Sequence, residues 1–145
     1  DEIKNVKNAR IVAMVSVSSN AQSATAGARK LLEENPQISV LVGFNEWSTL
    51  GVGMAIKELG LKDRVCATGS DNNTECVGML ETGELDTLIV QNPFSMGYLA
   101  VMNAANILSG KKTESVIKTD VYVVDRSNMF SADVQKILFG FDKYD

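Results

Sequence analysis

Four apolar runs, each followed by a segment with helical spacing, end in amide, hydroxyl or carboxylate side chains. This alternation constrains the fold more than any other feature of the chain. Run 10–17 (RIVAMVSV) ends at Ser18, Ser19 and Asn20; run 38–44 (ISVLVGF) ends at Asn45, Glu46 and Trp47. Run 64–69 (RVCATG) ends at Ser70, Asp71 and Asn72; run 86–90 (DTLIV) ends at Gln91 and Asn92. Strand–helix alternation predicts a parallel α/β sheet flanked by helices, of Rossmann-like type. In such a sheet all four clusters meet at one edge, where ligands bind outside the carboxyl ends of the strands. An edge of Asn, Asp, Gln and Ser beside an aromatic suits a neutral, hydroxyl-rich molecule such as a sugar.

The helical segments carry their own punctuation. The first is expected over 20–34, with Ala21, Ala24, Ala28, Leu31 and Leu32 on one face, stopped by Asn35-Pro36. The second is expected over 48–59, with Ser48 as N-cap and Gly60 as C-cap. The third runs over 73–82 and closes at Gly83; the fourth opens at Asn92-Pro93 and ends near Gly110. A polar linker then leads to a fifth strand over 117–124. The tail, 131–141, spaces Val134, Ile137, Leu138 and Phe141 as an amphipathic helix, docking either on its own domain or on a partner.

Several function classes are disfavoured. Net charge is −4 and the 14 Lys and Arg are scattered, so the basic face that nucleic acid requires is not expected. No apolar run approaches the ~20 residues that span a bilayer. No signal peptide is recognised at the start of the sequence, so the compartment is not read from it. Histidine is absent, which removes His-based triads and metal sites and the commonest general base. Cys66 and Cys76 lack zinc-type spacing and are expected as buried free thiols. No cofactor is expected. Glu46, Asp71 and Glu75 could form a carboxylate pair or a magnesium site, but none of the four clusters has the basic phosphate partner that a magnesium-dependent phosphoryl-transfer enzyme usually adds. GVGMAI (51–56) lies inside a helix, so its small residues are read as letting that helix lie close to the sheet, not as a phosphate loop.

The candidate binding residues each carry a second reading. Asp71 accepts hydroxyl hydrogen bonds or caps the following helix. Asn45 and Gln91 each offer a donor and an acceptor, and Asn45 could instead tighten its loop. Trp47 stacks on a sugar ring or packs half-buried.

The chain resembles the C-terminal lobe of type I periplasmic sugar-binding proteins, the ribose and galactose group, a domain shared with lactose-repressor-like regulators. Four stretches carry the likeness: NPQISVLVGFNEWSTLGVGMAIKELG, RVCATGSDNNTE, GMLETGELDTLIVQNPFSMGYLAV and TDVYVVDRSNM. The resemblance implies that Asn45 hydrogen-bonds sugar hydroxyls, that Asp71 takes the anomeric or a neighbouring hydroxyl, and that Gln91 sits at the interdomain crossover. Ser19 falls where the family often has an aromatic; Trp47, two positions after the matching Asn45, is read as the residue that could compensate.

The same resemblance implies two lobes closing on sugar about a hinge, of which 1–130 supply the C-terminal one. Helix 93–110 would then belong to the other lobe, and 131–145 form the tail. The expected partners are a sugar, the missing N-terminal lobe or a second copy of the chain, and a transporter permease or sensor kinase, with no nucleic acid. The implied location is periplasmic or on the outer face of a bacterial membrane. Other readings are an effector domain of a transcription regulator, a carboxylate-based enzyme centred on Asp71, and an assembly module using helix four and the tail.

Overall fold

The computed structural model describes residues 6–139. They form, in order, α1 (Ala21–Glu34), β1 (Val40–Val42), α2 (Glu46–Leu59), β2 (Cys66–Ser70), α3 (Thr74–Thr82), β3 (Thr87–Gln91), α4 (Pro93–Leu108), β4 (Val121–Asp125) and α5 (Ala132–Phe139). The strands make one sheet in the order β1-β2-β3-β4. β1 to β3 are mutually parallel, whereas β4 runs antiparallel to β3.

Local chemistry sets the helix boundaries. Asn20, Asn45, Asn73 and Asn92 are the N-caps of α1 to α4, each side chain accepting from the backbone N–H three residues on. Ser48 is therefore not the cap of α2. It sits in the first turn and completes a reciprocal capping box, its hydroxyl accepting from the Asn45 N–H at 3.0 Å. Gly60 and Gly83 close α2 and α3 in the left-handed region.

Two strand expectations fail for non-local reasons. Run 10–17 forms no strand: it pairs with no strand among the described residues, and Ile11, Met14 and Val15 stay exposed. A strand needs another strand's backbone groups to satisfy its own, and apolar composition alone does not provide one. The fifth strand exists but covers Val121–Asp125 and is antiparallel. Gln91 at the end of β3 pairs with Val121 at the start of β4, so the chain leaves the sheet into α4 and re-enters it at the same edge.

The core lies on one face of the sheet. Leu41, Ala67, Leu88, Val90 and Val124 pack there with residues of α1, α2, α3 and α5, among them Leu32, Ile56, Leu80 and Leu138. On the opposite face Val40, Val42, Val121 and Val123 remain exposed. Cys66 shares that face and is exposed, against the expectation of a buried thiol; Cys76, on α3, is buried, and both are free. Burial pushes the Cys76 thiol up to about 12, and partial burial with Asp86 nearby raises that of Cys66.

Within the tail, Leu138 is buried, and Val134 and Ile137 pack against the core; Phe141 lies outside the described residues. α4 buries none of its residues and leaves Phe94, Tyr98, Val101 and Ile107 exposed. Gly51 and Gly53 of GVGMAI face other helices: a Cβ on Gly51 would meet Ala24 of α1, and one on Gly53 would meet Met79 of α3. Their small size serves helix–helix approach, not the helix–sheet contact expected from the sequence.

Candidate functional site

Asn45, Asp71 and Gln91 lie at the carboxyl ends of three adjacent parallel strands. The strand ends are stitched together: the Gly43 N–H donates to Thr68 O at 2.9 Å, and the Asp71 N–H to Ile89 O at 3.1 Å. The following loops are also linked, because Asn73 Nδ2 donates to Glu46 Oε1 at 3.1 Å.

The three side chains differ in what they have left to offer. Asn45 Oδ1 accepts from the backbone N–H and the hydroxyl of Ser48, both at 2.9 Å. The capping box thus occupies its acceptor and leaves Nδ2 as a donor. Asp71 is not the cap of α3: Asn73 Oδ1 fills that role, accepting from the Cys76 N–H at 2.8 Å. Asp71 instead takes a backbone φ of 74°, which Asp and Asn tolerate better than most side chains do. Gln91 is exposed, its backbone used in pairing with Val121.

Ser19 is exposed in a bend before α1 and is not carried by a strand, because run 10–17 does not join the sheet. Trp47, in the first turn of α2, is 39% exposed and keeps part of its ring available. The sheet therefore brings together Asn45, Asp71 and Gln91, with Trp47 beside the first of them.

A residue that sequence reasoning missed anchors this edge. Thr49 of α2 is fully buried, and its hydroxyl accepts from the Ser70 N–H at 2.8 Å and donates to Ser70 O at 2.9 Å. It clamps the last residue of β2 immediately before Asp71. Gly69 admits it: a Cβ there would lie 2.0 Å from Thr49 Cγ2. Thr49→Val keeps the shape and strands the Ser70 N–H, an expected loss of about 1.5 kcal/mol, read as a lower urea midpoint. An unchanged midpoint would remove the clamp from the account.

Two of the cavities on the described residues bear on where a ligand could sit, and neither is lined by Asn45, Asp71 or Gln91. The larger cavity, about 470 Å³, lies on α1 and α2 beside the ion-paired Arg29 and Glu58. A smaller one, about 160 Å³, lies between the start of α4 and the segment entering β4, lined by Asn92, Ser95 and Asp120. The charged groups of the larger cavity, Arg29 and Glu58, are already paired to each other, whereas the strand-end edge keeps polar groups free for a ligand. Among the described residues no cluster of three or more His, Cys, Asp or Glu could hold a metal ion. Among them, too, no helix is long and apolar enough to cross a membrane.

A mixed sheet with an amide- and carboxylate-bearing edge, through which the chain leaves and returns, defines one lobe of a solute-binding fold. The chain belongs to the periplasmic binding protein family, whose domain model matches residues 1–112. It is 26% identical over 97 residues to the D-allose-binding periplasmic protein of Escherichia coli K12, covering 67% of this chain and 31% of that protein. It superposes at a TM-score of 0.80 and 29% identity on a carbohydrate transporter solute-binding protein from Agrobacterium radiobacter in complex with D-arabinose, covering 89% of this chain and 44% of that one. A chain of the XylFII–LytSN complex matches with a TM-score of 0.74 and 29% identity, covering 86% of this chain and 44% of that one. The chain thus spans less than half the length of each of these relatives. The first two are binding proteins by name, and the family is an extracytoplasmic one.

Proposed function

We propose that this chain is one lobe of a non-catalytic, hinge-closing sugar-binding protein acting outside the cytoplasm. The observation that carries the reading is the meeting of Asn45, Asp71 and Gln91 at the carboxyl ends of β1, β2 and β3. Asn45 Nδ2 donates to a sugar hydroxyl, the Asp71 carboxylate accepts from one or two, and Gln91 does either at the crossover. Trp47, in the first turn of α2, is the stacking candidate, and Ser19, on the bend before α1, is a further proposed contact.

The second lobe takes α4 as part of its body, which accounts for a helix with Phe94, Tyr98 and Val101 exposed. Sugar bridging the two lobes favours the closed state. The names of the relatives support delivery to a sugar transporter as the role of the closed form. The XylFII–LytSN neighbour supports a second reading, in which the closed form is recognised by a signalling partner.

A half-site binds weakly. Calorimetry of the 145-residue chain with D-allose or D-arabinose is expected to give no heat at micromolar sugar, with binding emerging only at millimolar concentrations. Micromolar affinity for the chain alone would refute the half-site. Light scattering gives the complementary check: a monomer that gains mass when the second lobe is supplied supports the reading. A homodimer indifferent to that lobe would mean that α4 is covered by self-association.

A further inference from the structure

The loop that carries Asp71 is held from a direction the binding site does not require. Asn72, the next residue, turns its side chain to the end of α5: Nδ2 donates to Leu138 O at 2.7 Å and to Ile137 O at 3.2 Å. These two carbonyls belong to the last turn of α5, where a helix runs out of N–H groups of its own to offer. A primary amide has two N–H donors, and both carbonyls that this one reaches belong to α5.

α5 is itself firmly seated. Leu138 is 3% exposed, Val134 and Ile137 pack against the core, and Gln135 Nε2 donates to Met129 O at 2.6 Å. The loop therefore has three tethers: the Asp71 N–H to β3, Asn73 Nδ2 to Glu46 of α2, and Asn72 to α5. The α5 tether acts directly beside a non-glycine residue in the left-handed region. That conformation persists only where its surroundings hold it.

We propose that Asn72 is a positioning residue through which α5 fixes the conformation of Asp71, so that docking of the tail helix and ligand capture are coupled. The ligand half of this inference rests on the reading of Asp71 as a sugar-binding group. The coupling is reciprocal: whatever frees α5 from the core weakens binding, and bound ligand strengthens the docking of α5. The tail then serves as a control element, and a partner that pulled α5 away would open the site without touching it.

The test is amide exchange followed by NMR on the labelled 145-residue chain, with a D-allose titration on the same samples. The Asp71 N–H, bonded to Ile89 O, reports the loop, and the Leu88 amide in the core strand reports global stability. Asn72→Ala removes the tether, Asn72→Asp keeps its shape but neither donor, and Leu138→Ala loosens α5 without altering the loop. For two lost neutral hydrogen bonds, exchange at Asp71 is expected to quicken about tenfold in the Asn72 variants, with Leu88 nearly unchanged and D-allose binding about tenfold weaker. Leu138→Ala is expected to speed exchange at Asp71 beyond its effect at Leu88.

Exchange at Asp71 that stays at the wild-type rate, or moves only in step with Leu88, would overturn the tether. Faster exchange with undiminished D-allose binding would overturn the coupling. If D-allose and D-arabinose shift no amide of the wild-type chain, the proposed sugar site fails, while the exchange rates still decide whether α5 holds the loop.

Discussion

Replacing Gly51 by alanine is expected to destabilise the chain by about 3 kcal/mol, although the same change in a free helix would be favourable by about 1 kcal/mol. The reason is where the new methyl group would sit. A Cβ on Gly51 lies 2.4 Å from Ala24 Cβ, 2.5 Å from Ala24 C and 2.7 Å from Thr25 N. Two of these are backbone atoms of α1, which cannot rotate out of the way, so α1 and α2 must separate. That separation loosens the main core, to which Ala28 and Leu32 of α1 and Leu50 and Ile56 of α2 belong. Gly78 supplies the control: it lies in α3, and a Cβ there would meet nothing within 4 Å, so Gly78→Ala is expected to stabilise by about 0.5–1 kcal/mol. Urea unfolding of the two variants measures both. Equal signs would mean that the α1–α2 contact does not limit the fold, and the account of the GVGMAI segment would fall.

What the sequence disclosed and what it withheld divide along a physical line. Helix ends were legible because caps act over three or four residues: Asn92-Pro93, Gly60 and Gly83 work within their own turns. Ser48 misled because a reciprocal box has two hydroxyl- or amide-bearing residues, and only geometry tells the cap from the residue three places on. Run 10–17 misled because its apolar content describes a strand face, whereas pairing depends on what stands alongside it. The direction of β4 was hidden for a similar reason, since it follows from the α4 excursion returning to the edge it left.

The candidate site divides in the same way. Asn45, Asp71 and Gln91 were legible from their places after apolar runs, and the sheet does gather them at one edge. The residues that hold the edge were not: Thr49 and Asn72 act through contacts 21 and 66 positions away in sequence, to Ser70 and Leu138. No spacing rule reports such contacts. The left-handed backbone at Asp71 was also invisible, because aspartate is ordinary in loops of every conformation.

That backbone separates function from stability at Asp71 in one measurable way. Asp71→Gly removes the carboxylate and relieves the φ of 74°. The relief, of order 1 kcal/mol, is partly offset by the greater freedom of glycine in the unfolded chain, which leaves a net gain of about 0.5 kcal/mol. Binding moves the other way. Loss of two charge-assisted hydrogen bonds is expected to weaken D-allose binding about 100-fold, beyond detection for a half-site that starts at millimolar affinity. Asp71→Val loses the same carboxylate and adds a β-branched side chain in a region it rarely enters, so it is expected to cost about 2 kcal/mol in stability with the same loss of binding. The two variants therefore share a binding phenotype and differ in the sign of their stability change. NMR titration with D-allose and urea unfolding read the two axes separately. If Asp71→Gly is clearly destabilised while D-allose binding persists, Asp71 is a structural residue and the site must be sought elsewhere on the edge. If binding disappears from a chain that has become slightly more stable, the strain at the end of β2 is maintained for the ligand, because folding alone would favour glycine there.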